Sequence, residues 1–494
     1  MLSITGILKH SSKLTGAGAI GTVLNLPVGI IVANQLGTDA YGQVSFVTLW
    51  LTYAMLVRTG VFEGGQREVI DRFSRQEADA ARHTQNTAVS GELLWGIMPA
   101  TVLLLATLFF HDSVRMTGFF LAPVIYFGST FSRVLASLHY ARQSFGIVAR
   151  MNMIRSVAQP LLLLGSVFAI GPYSLFVVPA LVEWAIVAMY LLYAPKLGLA
   201  LSLNRAEMWR LTRVGLPLGI GALVYWAYRL VGVTTIATWC SSDELGQYAF
   251  AAKLTDLAIR PIADFGGVLA PVLWTQIGRT ADVTSIGPDA NRLTLVVTAV
   301  ACAAANLMQA GFAPVVSLAA PKFEGSVGIF EILAFNVVFL TITLMPGLVL
   351  NSVKVGKQKL YLGLLMGALI ANAAANYAVV YQGWGMWAIA GNDVWIQAGL
   401  AVLVYFVAQR YLFRSAADAR RMYAVVVCLL TTCALVFAFL KLPRFDIHPS
   451  LETSELILAL GVRLGIVAAA WAGGGALLYY WLGRAAHSPA ESLT

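Results

Sequence analysis

The sequence predicts an all-α polytopic membrane protein. About 14 transmembrane helices are expected, as two pseudo-symmetric six-helix lobes and an appended C-terminal helix pair. Three observations predict this. Of 494 residues, 59% are hydrophobic and only 12% charged, and the mean hydropathy is +0.75. Soluble domains carry about 25% charged residues, so too little polar surface remains here to face water. Apolar stretches of bilayer length recur along the whole chain, and a short motif repeats 204 residues apart.

The stretches lie at about 14–36, 43–65, 87–110, 117–141, 149–169, 174–195, 213–239, 247–270, 291–316, 326–351, 360–381, 386–408, 422–440 and 456–482. Each is close to the roughly 20 residues a spanning helix needs. The first follows Lys9 and Lys13. It exceeds the about 7–15 apolar residues of a signal peptide and is read as a retained helix.

Basic residues set the orientation. With both termini inside, 22 of the 33 lysines and arginines fall on the cytoplasmic side, 4 in external loops and 7 inside helices. That asymmetry is the positive-inside pattern, and it supports an even helix number. It also gives the net charge of +9 a simpler home than nucleic acid. Every loop is short, the longest external one being about 441–455, which leaves no room for a soluble domain. No GxxxxGK phosphate loop is present. Cys240, Cys302, Cys428 and Cys433 sit in or beside apolar runs without CxxC spacing. They read as small buried hydrophobes, with neither a metal site nor a disulfide framework.

The repeated motif pairs Thr38-Asp39-Ala40-Tyr41-Gly42-Gln43-Val44-Ser45-Phe46 with Ser242-Asp243-Glu244-Leu245-Gly246-Gln247-Tyr248-Ala249-Phe250. Each copy is expected to form the external turn between two helices, the first and second or the seventh and eighth. Six helices fill one period. The implied domains are an N-terminal lobe (1–200), a C-terminal lobe (205–410), an appended pair (422–482) and a cytoplasmic tail (483–494). Two lobes of one orientation form a parallel repeat, with substrate expected between the halves.

At this turn the sequence resembles the multidrug/oligosaccharidyl-lipid/polysaccharide exporter superfamily. Asn34-Gln35-Leu36-Gly37-Thr38-Asp39-Ala40-Tyr41-Gly42 is similar to its "LG…YG" turn. Gly215-Leu216-Pro217 and the second copy of the motif are similar to the second-lobe signature of the polysaccharide transporter branch. Gly356-Lys357-Gln358-Lys359, then Asn372, Asn376 and Gly383-Trp384-Gly385, match that branch around the eleventh helix. The order and spacing cover about the whole chain. The resemblance implies a V-shaped two-lobe fold, alternating access and a Wzx-type flippase. Its substrate would be undecaprenyl-diphosphate carrying a short oligosaccharide, in the bacterial inner membrane. Membrane lipids, a polysaccharide polymerase and a chain-length regulator are the expected partners. No nucleic acid, cofactor or metal is expected.

Binding residues do not carry over from the family motif, so they are read from this chain. A charge at a helix centre costs about 2.5–3.5 kcal/mol on insertion scales, so such residues face a bundle interior or a wet cavity. Lys253, Asp256, Arg260 and Asp264 are spaced to share one face of the eighth helix. They form either a cavity wall or a self-neutralising ladder. Arg229 follows Tyr225-Trp226-Ala227-Tyr228. It offers a planar fork for phosphate beside rings for sugar stacking, or else a snorkelling belt. Arg58 and Arg133 complete the expected positive lining. Substrate contact is thus expected from Arg58, Arg133, Arg229, Lys253, Asp256, Arg260 and Tyr225. Glu183, Glu331 and Asp393 are candidates for a coupling ion, or simple partners of these cations. Arg155, near the cytoplasmic end of its span, and Arg463, in the appended pair, are left outside this set.

Three rivals are weighed. A drug or metabolite exporter of the superfamily typically has twelve helices. A lipid II-type flippase usually carries charges in its first helix, where this chain has only Asn25, Asn34 and Gln35 as strong polar groups. A polymerase or ligase needs a sizeable external loop. Transport requires no covalent chemistry, so the chain is read as no enzyme.

Overall fold

The computed structural model describes residues 21, 23–57, 60–74, 77–141, 144–192, 198–279, 282–352, 354–413, 416–442 and 453–486. For some residues inside helices, Asp264 among them, only the backbone is described. Arg58 lies outside the described residues.

Among the described residues every long element is a helix. They are α1 (Val23–Leu36), α2 (Thr38–Leu56), α3 (Val61–Ser74), α4 (Ala78–Ala106), α5 (Ser113–Ala141), α6 (Phe145–Ile170), α7 (Ser174–Leu192) and α8 (Arg205–Trp239). Then follow α9 (Ser242–Arg279), α10 (Gly287–Ala319), α11 (Ser326–Leu333), α12 (Phe335–Leu350), α13 (Gln358–Tyr381), α14 (Gly385–Leu412), α15 (Ala416–Leu440) and α16 (Thr453–Ala486). In hydrocarbon each backbone N–H and C=O must be satisfied within its own segment, which helices achieve. Among the described residues, ten candidate spans are long and apolar enough to cross a bilayer. Large apolar side chains such as Val102, Leu108, Phe109 and Ile370 lie exposed, as a lipid-facing surface requires. The chain is a multi-pass membrane protein.

Residues 14–20 of the first expected span lie outside the described residues; elsewhere the expected spans map onto these helices with four corrections. The second (43–65) is broken: α2 ends at Leu56 and α3 starts at Val61. Gly60, at φ +81°, takes a left-handed conformation at this break. The tenth (326–351) is split into α11 and α12 at Ala334. The seventh and eighth are longer than hydropathy suggested, because polar residues at their ends are capped or ion-paired and remain helical. Finally, the two motif copies are not loops. Gly37 (φ +80°) makes the first turn, and Thr38 already opens α2. Ser242 likewise opens α9. At Ser241 the hydroxyl accepts from Glu244 N at 3.2 Å while Glu244 accepts from Ser241 N at 3.0 Å. That reciprocal capping box fixes where α9 begins.

The chain forms two compact units, Met1–Phe250 and Ala251–Thr494. In the first, α8 runs antiparallel along α2 and α3. Gly42 meets Ser242 at one end, Tyr53 Oη lies 2.7 Å from Thr234 Oγ1 in the middle, and Gly60 meets Gly215 further along. Beyond that, Arg210 pairs with Glu68 at 3.1 Å. Val28, Val32, Phe62, Val134, Leu138 and Ile186 are among the apolar side chains that join α1, α3, α5 and α7.

In the second unit, Leu295, Cys302, Val338, Ala401 and Cys433 pack α10, α12, α14 and α15 together. Buried polar groups tie the appended pair to α10 and α11. Asn306 donates to the Cys433 carbonyl at 3.1 Å and accepts from Trp471 at 3.0 Å. Lys441 pairs with Glu331 at 2.6 Å, and Arg463, 1% exposed, donates to the Leu440 carbonyl at 3.2 Å.

Candidate translocation and ion sites

Within the first unit, intramembrane charges gather where α4, α5, α6 and α7 meet. Arg133 Nη2 on α5 lies 2.6 Å from Glu92 Oε1 at the middle of α4. Arg155 Nη2 on α6 lies 2.8 Å from Glu183 Oε2 on α7 and also donates to Ser132 Oγ, beside Arg133. Two cations and two anions are thus linked through one Ser-Arg step of α5. Glu92 is 4% exposed. An ionised carboxylate that deep persists only with its charge matched. The arginine side chains retain 29% and 30% exposure, while the Nε of each is buried. Arginine forks bind phosphate or carboxylate oxygens bidentately.

Two members of this cluster escaped the sequence reading. Arg155, set aside as an anchor, is an intramembrane partner of Glu183. Glu92 lies inside the third apolar stretch, where the same rule that selected Arg133 would have found it.

The other expected residues are placed as follows. Arg229 on α8 is half-buried, its guanidinium 5.4 Å from the Trp226 ring centroid. Tyr225, also half-buried, meets Trp226 edge to face at 5.8 Å. This supplies a cation beside an aromatic surface. Lys253, Asp256 and Arg260 are all exposed, whereas Leu254, Thr255 and Ile259 are buried. α9 therefore carries these polar residues on an exposed face. Asp264 of the expected stripe lies outside the described side chains.

Of the coupling-ion candidates, Glu183 and Glu331 hold the cationic partners given above. Asp393 on α14 accepts at one carboxylate oxygen from Asn372 at 2.9 Å and Asn376 at 3.2 Å, both on α13. Among the described residues no group of three His, Cys, Asp or Glu side chains could hold a metal ion.

Outside the spans, α3 and α8 are tied by Glu68, Arg72, Glu207 and Arg210. The Arg210 hydrogen bond and charge hold the Glu207 carboxyl below the usual carboxylate range, against its burial. Burial works against the Glu68 charge too, but Arg210 and Arg72 outweigh it and keep that carboxyl low. The hydrogen bond to Glu207 is the main cause of the raised Arg210 pKa.

Residues 31–308 match a family described as "Polysaccharide biosynthesis protein". The chain belongs to this family. No curated protein matches it closely enough to count as a relative. Solved structures show the same fold. A MATE transporter in complex with MaL6 is 15% identical with a TM-score of 0.60, over 85% of this chain and 96% of that one. The inward-facing form of a multidrug resistance MATE transporter of the MOP superfamily is 14% identical with a TM-score of 0.62, over 82% and 95%. A MOP superfamily transporter from Pyrococcus furiosus is 17% identical with a TM-score of 0.57, over 84% and 96%; its reversed binding-pocket polarity is described as suggesting a different function. The chain thus belongs to a polysaccharide biosynthesis family and has the fold seen in these transporter structures.

Proposed function

We propose that the protein moves an undecaprenyl-diphosphate-linked oligosaccharide repeat unit from the cytoplasmic to the periplasmic leaflet of the bacterial inner membrane, by alternating access. The family match over more than half the chain carries this reading. It favours a glycolipid over the drugs named for the multidrug structures that share the fold. The physical problem is a diphosphate and polar sugars crossing about 30 Å of hydrocarbon while the prenyl tail stays in lipid. Intramembrane arginines suit the diphosphate, and Tyr225 and Trp226 beside Arg229 suit the sugars. Arg58, Arg133, Arg229, Lys253, Asp256 and Arg260 are the proposed polar lining. Both termini are cytoplasmic in this reading, and a polymerase and a chain-length regulator act on the delivered unit.

The test is polymer production in a flippase-null strain complemented with Arg229→Ala, Arg260→Ala and the corresponding lysine variants, at checked membrane expression. Lysine keeps the charge and loses the fork, so it should impair transport, and alanine should impair it further. Full polymer from the double alanine variant at normal expression would reject the cationic lining.

A further inference from the structure

The segment that leads into α8 is held along α4 by side chains. Residues 198–204 are not helical. Asn86 reads two of their backbone groups, donating to the Gly198 carbonyl at 3.4 Å and accepting from Ala200 N at 3.2 Å. Ser90, one turn further along α4, accepts from Ser202 N at 2.9 Å, and Thr87 Oγ1 lies 3.2 Å from Ser202 Oγ. A non-helical backbone that touches lipid needs such partners, because hydrocarbon supplies none. From Leu197 to Asn204 the segment alternates leucine with small or polar residues. Leu201 and Leu203 stand 83% and 68% exposed. The crossing lies where lipid contact begins on α4: Leu94, one turn beyond Ser90, opens the run of exposed apolar side chains on that helix.

α8 continues this surface. Arg205, Trp209, Arg213, Leu216 and Ile220 recur at helical spacing, so they share one face of α8, and all are exposed. The face changes from basic and aromatic to apolar along its length. That is the order in which a helix passes from headgroups into hydrocarbon. Its charge is uncommitted. Arg210, turned towards α3, is taken by Glu68 and Glu207, whereas neither Arg205 nor Arg213 forms an ion pair among the described residues. We propose that Leu201, Leu203, Arg205, Trp209 and Arg213 form a docking surface for an anionic phospholipid. Its headgroup phosphate meets the arginines, and its acyl chains lie against the leucines and the indole. A zwitterionic lipid offers the same chains but adds a headgroup cation that the arginines repel, so the surface discriminates by charge. In the topology proposed above this is a lipid of the cytoplasmic leaflet. The leaflet rests on that reading; the binding does not.

The experiment uses the purified full chain reconstituted into bilayers, and its outcome is independent of any glycan. Brominated phosphatidylglycerol is mixed in rising proportion with plain phosphatidylcholine, and the opposite labelling is run beside it. Bromine quenches tryptophan on contact, so the difference between wild type and Trp209→Phe reports the lipid at this face. The expected result is a preference for phosphatidylglycerol of about fivefold or more, weakening as salt rises from about 0.05 to about 0.5 M. Arg205→Gln/Arg213→Gln should abolish the preference, and Leu201→Ser/Leu203→Ser should weaken quenching by both lipids. Glycerol phosphate in solution should leave the quenching unchanged; relief by it would assign the arginines to a free phosphate and overturn the lipid docking. Should Trp209→Phe fail to insert, the phosphatidylglycerol retained per purified chain is compared between wild type and the double glutamine variant, and equal retention overturns the proposal. So does a wild type without preference, or a preference that survives the loss of both arginines.

Discussion

Gly42 and Gly246 pack reciprocally into each other's helix start: a Cβ on Gly42 would lie 1.7 Å from the Ser242 carbonyl oxygen, and one on Gly246 1.9 Å from the Thr38 carbonyl oxygen. The motif copies detected 204 residues apart are therefore physical neighbours at one end of the unit. Their internal bonds also repeat, with Gln43 donating to Asp39 at 2.9 Å and Gln247 to Asp243 at 3.0 Å. Thr38 adds a hydrogen bond across to Asp243. Each glycine is small because the other helix's backbone occupies the space a side chain would need.

This contact predicts opposite outcomes for one substitution at different sites. Gly42→Ala and Gly246→Ala should each destabilise by roughly 1–3 kcal/mol, the usual result of overpacking. Gly363→Ala on α13, where a Cβ meets nothing within 4 Å, should stabilise by up to about 1 kcal/mol through helix propensity. Unfolding midpoints of the purified variants measure this. Alanine tolerated at Gly42 and Gly246 as well as at Gly363 would refute the close approach.

The Glu92–Arg133 pair separates structural from transport roles. Glu92→Gln leaves the Arg133 charge without its 2.6 Å partner and should lower stability by several kcal/mol at most; about 3–5 is the range for fully buried pairs, and Arg133 is partly exposed. The double variant Glu92→Gln/Arg133→Gln removes both charges and should recover most of that stability. It should still fail to support polymer production if the Arg133 fork contacts substrate. A double variant that folds and transports normally would make the pair purely structural.

The helical spans were legible in the sequence because lipid makes a simple demand: about 20 apolar residues per span. Element ends were less legible. The polar first turns of α8 and α9 stay helical through Asn204, whose side chain caps Glu207 N at 3.1 Å, and through the Ser241–Glu244 box. Hydropathy does not register such local hydrogen bonds. Charged side chains were found individually, but their partners were not. Arg155 meets Glu183 across 28 positions and Arg133 meets Glu92 across 41. Pairing of that kind depends on which helices pack together, which one sequence does not specify. The helical i,i+4 spacing of Asn372 and Asn376 was visible, while their shared partner on α14 required the fold.

The α3–α8 cluster should make stability depend on pH in one direction. Glu68 and Glu207 have lowered folded-state pKa values. Their contribution is full above the unfolded glutamate value of about 4.3 and is lost as pH falls through the lower folded values. Wild type should therefore exceed Glu207→Gln in unfolding midpoint near neutral pH, with the gap closing below about pH 4. Side-chain exposures of 15% for Glu207 and 43% for Arg210 allow solvent screening, so added salt should also shrink the gap. A gap that widens on acidification would contradict the assigned ion pairs.

Glu331 and Lys441 test whether an intramembrane carboxylate here serves packing instead of ion coupling. Glu331 is 3% exposed on its side chain, and Lys441, just past the end of α15, reaches it at 2.6 Å. Its own carbonyl accepts from Gln309 at 2.8 Å, so α10, α11 and α15 converge there. Lys441→Met removes one partner of a buried acid and should lower the unfolding midpoint. Because Lys441 is 37% exposed, the loss should be about 1–3 kcal/mol, below the range for a fully buried pair. Adding Glu331→Gln to Lys441→Met removes the mismatched charge as well, and should restore part of the midpoint. A structural tie predicts that this double variant, once in the membrane at normal level, still supports polymer production. A coupling carboxylate predicts the reverse: normal folding and no polymer. Measuring both quantities on the same double variant decides between them.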